Sequence, residues 1–296
     1  MDGVFDDKKG YVMTLNKVKL DLGGGTLLQI ANRSLTQMMS YIVDTEDGKT
    51  IIIDGGFYCE EDAKHLYEQI QQRGGCVDLW MITHAHSDHL GALLWLLERY
   101  PAHEMSIKKL CFHFPSNEWL SQKEEYDINS RFLQAVKERN ISVVTPVTGD
   151  IFTCGGVSVE ILSHPENYED YPQINPTSMV FRLHYPNKDI LFLGDFDVNG
   201  QEEFLQKRDV SKIRNDIVQM SHHGQGGVDR YFYELIQPKI CLYTAPKWLW
   251  ENNHYKCTDP LSAGKGPFTI METRKWMNEL GVQASYTHAE GDYLFW

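Results

Sequence analysis

The segment MITHAHSDHLGAL, residues 81–93, places three histidines and an aspartate within six positions between two apolar stretches. The preceding VDLWMITH, residues 77–84, has the apolar character of a strand buried on both faces. The following LGALLWLLERY, residues 90–100, has the pattern of a helix. A strand-to-helix turn therefore carries the polar side chains, which can converge at the carboxyl end of the strand: His84, His86, Asp88 and His89.

This combination of side chains is typical of a metal site. Neutral imidazoles and a carboxylate are ligands for Zn²⁺, Mn²⁺ and Fe²⁺, and no cysteine lies close enough in sequence to narrow the choice. The alternative is a solvated loop in which Asp88 caps the helix that follows. Four potential ligands in one turn favour the metal site, with Zn²⁺ as the first expectation and Mn²⁺ or Fe²⁺ as alternatives.

The composition narrows the class of protein. The chain has 296 residues, of which 42% are hydrophobic, which is enough material for a large buried core. Its 41 acidic and 28 basic residues give a formal net charge of -13, which disfavours non-specific binding along a nucleic-acid backbone. The six cysteines are widely spaced without a C-x-x-C pair, which predicts reduced thiols.

Strands and helices alternate along the chain without repeats or low-complexity tracts, which predicts a mixed α/β fold with sheets covered by helices. We expect residues 1–296 to form a single domain. The amino terminus has no apolar run behind a basic start, and no stretch reaches the roughly 18 to 20 apolar residues of a membrane span. We therefore expect a cytoplasmic protein with no membrane partner; the oligomeric state stays open.

Three later apolar strands also end in polar side chains. EILSHPEN (160–167) contains His164, ILFLGDFD (190–197) contains Asp195, and IVQMSHHG (217–224) contains His222 and His223. If the sheet edges align, these residues complete a pair of metal sites about 3.5 to 4 Å apart. The expected first site is His84, His86 and His164, the expected second site is Asp88, His89 and His222, and Asp195 is expected to bridge them.

The segment THAHSDHLGAL (83–93), with IIIDGG (51–56), FLGDFD (192–197) and SHHG (221–224) in this order, resembles the signature of the metallo-β-lactamase superfamily. The resemblance covers nearly the whole chain from about Val18. It implies a four-layer αββα sandwich with a dinuclear site at one edge where two sheets meet. Residues 175–195 and 216–224 are similar to the β-lactamase-like domain of competence-type DNA-uptake proteins and to bacterial phosphorylcholine esterases, which are both phosphodiester-directed branches.

The third histidine departs from the commoner family spacing. Many members place it shortly before the small residue that opens the next strand; counted back from Ser178, that place is Ile174, followed by Asn175. His164 lies 31 positions before Asp195 (195 minus 164), an interval that resembles the phosphorylcholine-esterase-like branch. We favour His164 as a ligand over a loop histidine beside Pro165.

Two further polar residues have expected supporting roles. By the resemblance, His222 is assigned to metal, and His223, which points to the opposite face of a strand, is expected to support the site or contact substrate. Asp54 ends the strand in IIIDGG and either orients the metal-binding loop or serves as a turn residue. The remaining unassigned histidines are expected to be structural or on the surface: His65, His103, His113, His184 and His288.

The metal pair determines the expected reaction. Two cations lower the pKa of a water from about 15.7 towards neutrality, so we expect a bridging hydroxide to attack the substrate. The same cations would bind the oxygens of an anionic phosphodiester. We expect a metal-dependent hydrolase, in the first place a phosphodiesterase for a small anionic ester. The alternatives are a carboxylic-ester or lactone hydrolase, or a nuclease of the competence type; a binding protein or a redox protein is less favoured.

The expected catalytic residues are Asp88, Asp195 and His223. The expected substrate-binding residues are His254 and Tyr255, in a long loop at residues 247–267. Candidates for protonating the leaving group are His223, His254, Tyr255 and Lys256. The aromatic rings of Trp248, Trp250 and Tyr255 either attract a cationic group of a small diester or pack on the core.

Overall fold

The computed structural model describes residues 4–5 and 12–296. Its α-helices are α1 Glu60–Gln71, α2 Ser87–Arg99, α3 Asn117–Leu120, α4 Tyr126–Glu138, α5 Val198–Lys207, α6 Arg230–Ile236, α7 Lys247–Trp250 and α8 Ile270–Glu279. The first strands are β1 Val4–Phe5, β2 Val12–Met13, β3 Leu15–Val18, β4 Thr26–Gln29, β5 Tyr41–Asp44, β6 Thr50–Ile53, β7 Cys76–Val77, β8 Leu79–Met81, β9 Ser106–Ile107, β10 Lys109–Cys111 and β11 Ser142–Val144. The later strands are β12 Ile151–Cys154, β13 Val157–Ser163, β14 Val180–His184, β15 Asp189–Phe192, β16 Ile217–Gln219, β17 Ile240–Tyr243, β18 Ala284–Thr287 and β19 Asp292–Phe295.

Two large sheets organise the described residues. The first has eight strands in the order β11-β10-β8-β6-β5-β4-β19-β3, and the second has seven in the order β12-β13-β14-β15-β16-β17-β18. Two small ribbons, β1-β2 and β7-β9, lie outside them. The first sheet comes mostly from the amino-terminal half, but β19 inserts between β4 and β3 and so returns the carboxyl terminus to it.

Three apolar clusters separate four layers. One lies between the first sheet and the helices α1, α2 and α4, a second lies between the two sheets, and a third lies between the second sheet and α5, α6 and α8. Strand β6 contributes to two of these apolar clusters, because successive side chains of a strand point to opposite faces of the sheet. Ile51 and Ile53 face the core between the sheets, and Ile52 faces the helices. This arrangement confirms the predicted αββα sandwich.

The strand directions bring the polar strand ends together. β6 pairs with β8 in parallel, with Ile53 opposite Met81, and β15 pairs with β16 in parallel, with Phe192 opposite Gln219. Neighbouring parallel strands end at the same edge of a sheet, so each sheet presents two adjacent carboxyl ends there. Asp54 and the His84 segment follow one pair of strands, and Asp195 and the His222 segment follow the other.

Two other features bear on the sequence-based expectations. All six cysteines are free thiols. Within the described part of the chain, every helix is too short or too polar to cross a lipid bilayer.

Candidate metal centre

Potential metal ligands from both sheets form two groups that share one residue. In each group, one ligand atom from every member lies within 4.8 Å of the others. The first group is His84, His86 and Asp195, and the second group is Asp88, His89, Asp195 and His223. Asp195 is therefore the residue that the two groups have in common.

The distances within the groups show how tightly the side chains converge. Asp195 Oδ1 lies 3.2 Å from His89 Nε2, and Asp195 Oδ2 lies 3.9 Å from His84 Nε2. His223 Nε2 lies 3.0 Å from Asp88 Oδ2 and 3.7 Å from Asp195 Oδ2. The facing nitrogens of His84 and His86 are 3.1 Å apart. Imidazole nitrogens and carboxylate oxygens thus point into one small volume between the sheets.

The donor set fits divalent cations. Asp195 is only 2% exposed, and its Oδ1 and the Nε2 of His89 are buried without an aligned hydrogen-bond partner, although the two atoms are close. Buried polar atoms without partners cost free energy, and a cation between them would satisfy both. Nitrogen and oxygen donors of this kind suit Zn²⁺, Mn²⁺ and Fe²⁺.

The expected protonation states of His84 and His89 also favour a metal site. Burial holds the pKa of His84 well below its usual range, so its imidazole is neutral and keeps a lone pair for a metal. Burial alone would also lower the pKa of His89, but the carboxylates of Asp195, Asp54 and Asp88 raise it well above its usual range. Without a metal, the carboxylates therefore hold a proton on His89 as the compensating positive charge.

Asp54 fixes the orientation of His89. Its Oδ2 lies 2.7 Å from His89 Nδ1 and accepts a hydrogen bond from Thr83 Oγ1 at 2.8 Å, and its Oδ1 accepts one from Thr83 N at 2.7 Å. When His89 donates its Nδ1 hydrogen to Asp54, its other ring nitrogen, Nε2, faces Asp195 and can bind a metal there. Of the two sequence interpretations of Asp54, the structure supports the one in which it orients the metal-binding loop.

Thr244 supports His223 in a similar way. It lies directly after β17, and its Oγ1 is 2.8 Å from His223 Nδ1. The opposite ring nitrogen of His223 faces Asp88. Neither Thr83 nor Thr244 was singled out from the sequence, although both follow apolar strands that end at this edge.

The two adjacent histidines differ from the expected assignment, because His223 rather than His222 lies with Asp88 and His89. The expectation assumed an extended strand, in which neighbouring side chains diverge. Instead, both residues lie in a short 3-10 turn with positive φ, 49° for His222 and 57° for His223. Both rings therefore approach Asp195, with His222 Nε2 at 3.9 Å from Oδ2.

Asn175, which the sequence places next to the expected position of the family histidine, lies beside His222. Its amide nitrogen lies 3.4 Å from His222 Nε2, and its Oδ1 and the Nδ1 of His222 are buried without partners. In the sequence, the feature that pointed to Asn175 was its place shortly before Ser178, where many family members have a histidine. The pair Asn175 and His222 thus lies beside Asp195 next to the first ligand group.

His164 belongs to neither ligand group. Its Nδ1 accepts a hydrogen bond from Thr148 N at 2.9 Å, and its ring packs against His113 with centroids 4.6 Å apart. It follows β13, which is separated from β15 by β14. Two strand spacings amount to about 10 Å, so its position in the sheet places it away from Asp195. This placement corrects the expected ligand role of His164 and matches the alternative of a loop histidine.

The aromatic loop is mainly structural. Trp248 is 1% exposed, and its indole N–H donates to Leu35 O at 2.9 Å. The ring of Trp250 is covered by the guanidinium of Arg274, 3.8 Å from its centroid. Tyr255 is 58% exposed and packs edge-on against Trp248. Other parts of the protein therefore cover the rings of Trp248 and Trp250. Of the three aromatic rings, that of Tyr255 is the exposed one.

The same loop contains His254, which was expected to bind substrate, and Lys256, a candidate proton donor for the leaving group. His254 and Lys256 are exposed, and the ammonium of Lys256 lies 5.9 Å from the ring centroid of Phe57 and 5.0 Å from that of Tyr255. Phe57 follows Gly55, whose N–H donates to His89 O in the first turn of α2. Lys256 thus lies beside the segment that follows Asp54, but His254 and Tyr255 belong to neither ligand group.

Of the histidines that the sequence left unassigned, four have polar contacts of their own or lie on the surface: His65, His103, His113 and His184. His288 differs from them. It is buried, both of its ring nitrogens lack a hydrogen-bond partner, and burial lowers its pKa to about 3. The structure therefore contains it as a neutral ring.

Fold and site together define the class of protein. Residues 35–225 match the family model described as "Metallo-beta-lactamase superfamily". The chain therefore belongs to the metallo-β-lactamase superfamily, which confirms the resemblance found in the sequence motifs.

One individual relative is ComE operon protein 3 of Bacillus subtilis (strain 168), which is 26% identical over 180 residues. The alignment covers 60% of this chain and 21% of that protein, so the chain corresponds to only a part of this longer relative.

Solved structures share the fold at low identity. CmlA, a diiron β-hydroxylase from Streptomyces venezuelae, is 12% identical with a TM-score of 0.56, over 92% of this chain and 54% of that chain. The metallo-β-lactamase fold protein YhfI from Bacillus subtilis is 10% identical with a TM-score of 0.54, over 91% and 99% of the two chains. Unliganded yeast PDE1 is 13% identical with a TM-score of 0.50, also over 91% and 99%. These similarities establish the shared architecture and not a shared reaction.

Proposed function

We propose that this protein is a hydrolase of small phosphodiesters that uses two divalent cations, with Zn²⁺ as the first candidate. The observation that carries the proposal is the pair of ligand groups that share the buried carboxylate of Asp195. A shared carboxylate is the usual bridge in two-metal hydrolytic sites. Membership of a superfamily made up mostly of metal-dependent hydrolases supports the same class of reaction.

The proposed ligand assignment follows the two groups. One cation would be held by His84, His86 and Asp195, and the other by Asp88, His89, Asp195 and His223. His222 and Asn175 lie beside the first group and supply further nitrogen and oxygen donors there. Bound cations would supply Lewis acidity and a water nucleophile at neutral pH.

The chain's own residues prepare this site. Asp54 and Thr83 hold His89 so that Nε2 faces inward, and Thr244 does the same for His223. Burial between two sheets excludes bulk water from Asp195 and His84, which strengthens their interaction with charge in the site. These contacts position the ligand atoms before a cation binds.

A phosphodiester is proposed over a carboxylic ester for two reasons. The segments 175–195 and 216–224 are similar to phosphodiester-directed branches of the superfamily. In addition, the exposed ammonium of Lys256 lies near the rings of Phe57 and Tyr255, where a positive charge would favour an anionic substrate over a neutral ester. The formal net charge of -13 favours a small anion over a long polyanionic strand.

The test is a substrate panel on the Zn²⁺- and Mn²⁺-loaded protein: bis-p-nitrophenyl phosphate, p-nitrophenylphosphorylcholine, a lactone series and single-stranded DNA. We expect turnover of the small diesters to exceed that of lactones and DNA. Turnover of lactones alone would support the carboxylic-ester hydrolase instead. Efficient cleavage of DNA without turnover of small diesters would support the nuclease.

A further inference from the structure

The helix that carries half of the metal-binding motif begins without a cap of its own. Helix α2 starts at Ser87, and the preceding residue, His86, makes no side-chain hydrogen bond to the first turn. Helices commonly begin with a serine, threonine, aspartate or asparagine that accepts a bond from the first turn. His86 instead points its ring towards His84. The capping role therefore falls to another part of the chain.

Glu125, which follows Ser87 by 38 positions in the sequence, caps the start of α2. Its Oε2 accepts a hydrogen bond from Ser87 N at 2.7 Å, and its Oε1 accepts one from Ser87 Oγ at 2.7 Å. Both carboxylate oxygens are thus committed to a single residue. Bonds of this length to a charged acceptor are among the stronger hydrogen bonds in proteins.

The backbone holds Glu125 in position for this contact. Glu125 is the residue before α4, and it adopts left-handed angles, φ 64° and ψ 17°. A residue with a side chain adopts this region at a cost in free energy, so surrounding structure must maintain it. Helix α4 supplies that structure, because Ile128 N donates to Glu125 O at 3.1 Å and Phe132 packs in the same apolar cluster as Leu93 of α2.

Ser87 lies between one residue of each ligand group. His86 belongs to the group with His84, and Asp88 belongs to the group with His89. A restraint on Ser87 therefore restrains the backbone on which both neighbours are mounted. A second effect is electrostatic, because the amino-terminal end of a helix carries partial positive charge, which opposes cations nearby. The carboxylate of Glu125 offsets that charge.

We propose that Glu125 is a positioning residue of the metal centre, which acts through Ser87 on both cation sites. The inference rests on the proposed metal centre but not on the identity of the substrate. A purely structural cap would stabilise α2 without changing the affinity for metal. The two roles are therefore separated by a binding measurement on folded protein.

The experiment is a titration of metal-free protein with Zn²⁺ against a chromophoric chelator, together with the visible absorption spectrum of the Co²⁺-loaded form. Glu125→Ala should weaken the apparent affinity by about ten- to a hundredfold, which is typical for loss of a group that orients ligands. It should also change the Co²⁺ spectrum, because His86 and Asp88 lose their fixed orientation. Glu125→Gln keeps an oxygen acceptor without the charge and should be intermediate.

Glu124→Ala is the matched control, because Glu124 is exposed like Glu125 and carries the same charge but is not the acceptor for Ser87, so this variant should bind metal like the wild type. Wild-type affinity and an unaltered Co²⁺ spectrum in Glu125→Ala would overturn the inference. If Glu125→Ala does not fold, Glu125→Gln decides, and wild-type affinity in that variant overturns the inference. Failure of the wild type itself to bind metal would instead refute the proposed metal centre.

Discussion

At the scale of single residues, the site depends on one carboxylate. Asp195 is the member that the two ligand groups share, and it comes from the second sheet, whereas His84 to His89 come from the first. Its burial is costly unless positive charge compensates it. The neighbouring His89 and His223 hold the pKa of Asp195 well below its usual range, against the effect of burial. The carboxylate is therefore ionised and available as a ligand at neutral pH.

The first prediction concerns this carboxylate. Asp195→Asn should reduce hydrolysis of bis-p-nitrophenyl phosphate by several orders of magnitude, because a neutral amide cannot bridge two cations as a carboxylate does. The rate is measured with saturating metal, and circular dichroism checks the fold. Asp189→Asn is the control, since it alters an exposed carboxylate at the start of β15, the strand that precedes Asp195. Near-wild-type turnover in Asp195→Asn would remove Asp195 from the reaction.

The second prediction concerns pH. The neighbouring carboxylates raise the pKa of His89, so at neutral pH the metal-free protein carries a proton that a cation must displace. Because the raised pKa keeps His89 protonated at lower pH, affinity for Zn²⁺ should increase as pH rises, and binding should release protons. Calorimetry in buffers of different ionisation enthalpy measures that release. Binding without proton release between about pH 6 and pH 8 would contradict the assigned protonation state.

At the scale of elements, the motif segment could be predicted from the sequence because its signals are local. The apolar run before His84 forms β8, and the periodic pattern after it forms α2, which begins at Ser87. The segment 247–267 was expected to be a loop, but it opens with the short helix α7. That helix buries Trp248 between elements distant in sequence, and a local pattern does not report such packing.

Gly91 determines how closely α2 approaches the loop that follows β6. A Cβ atom at this position would overlap the backbone nitrogen of Tyr58. The third prediction is that Gly91→Ala destabilises the protein by about 1 to 3 kcal/mol, as overpacking does, and weakens metal binding because α2 carries Asp88 and His89. Chemical denaturation and metal titration measure the two effects.

Gly156→Ala is the control for this variant, because a Cβ atom there meets nothing within 4 Å. Stability and metal affinity equal to the wild type in Gly91→Ala would show that α2 can move away from the loop without cost. That result would contradict the view that close packing of α2 positions the ligands.

At the scale of the whole molecule, the two ligand groups join side chains from two sheets that pack on each other through an apolar core. The sequence predicted four layers from the resemblance, and it predicted only in part which strand ends meet, because His164 lies outside both ligand groups. His164 and Asp195 both follow apolar strands in the second sheet, and only the strand order shows that β14 separates them. The return of β19 to the first sheet is likewise a long-range pairing without a local signal.

The fourth prediction follows from this connection. Ligands that bind only the folded state stabilise it by an amount that grows with the logarithm of the free ligand concentration relative to Kd, so bound cations should raise the melting temperature. Treatment with a chelator should lower the midpoint of thermal unfolding, and Zn²⁺ should restore it. The same treatment of Asp195→Asn should have a smaller effect. A midpoint that is independent of chelator and metal would contradict a centre that spans both sheets.

If two cations bind where the sheets meet, this must appear in the number of metal ions that each chain retains. Elemental analysis of the protein after reconstitution with Zn²⁺ and removal of excess metal gives that number. The two ligand groups predict about two ions per chain, with substantially fewer in Asp195→Asn. A wild-type chain that retains no metal, or that retains the same amount as Asp195→Asn, would contradict a dinuclear centre that depends on Asp195.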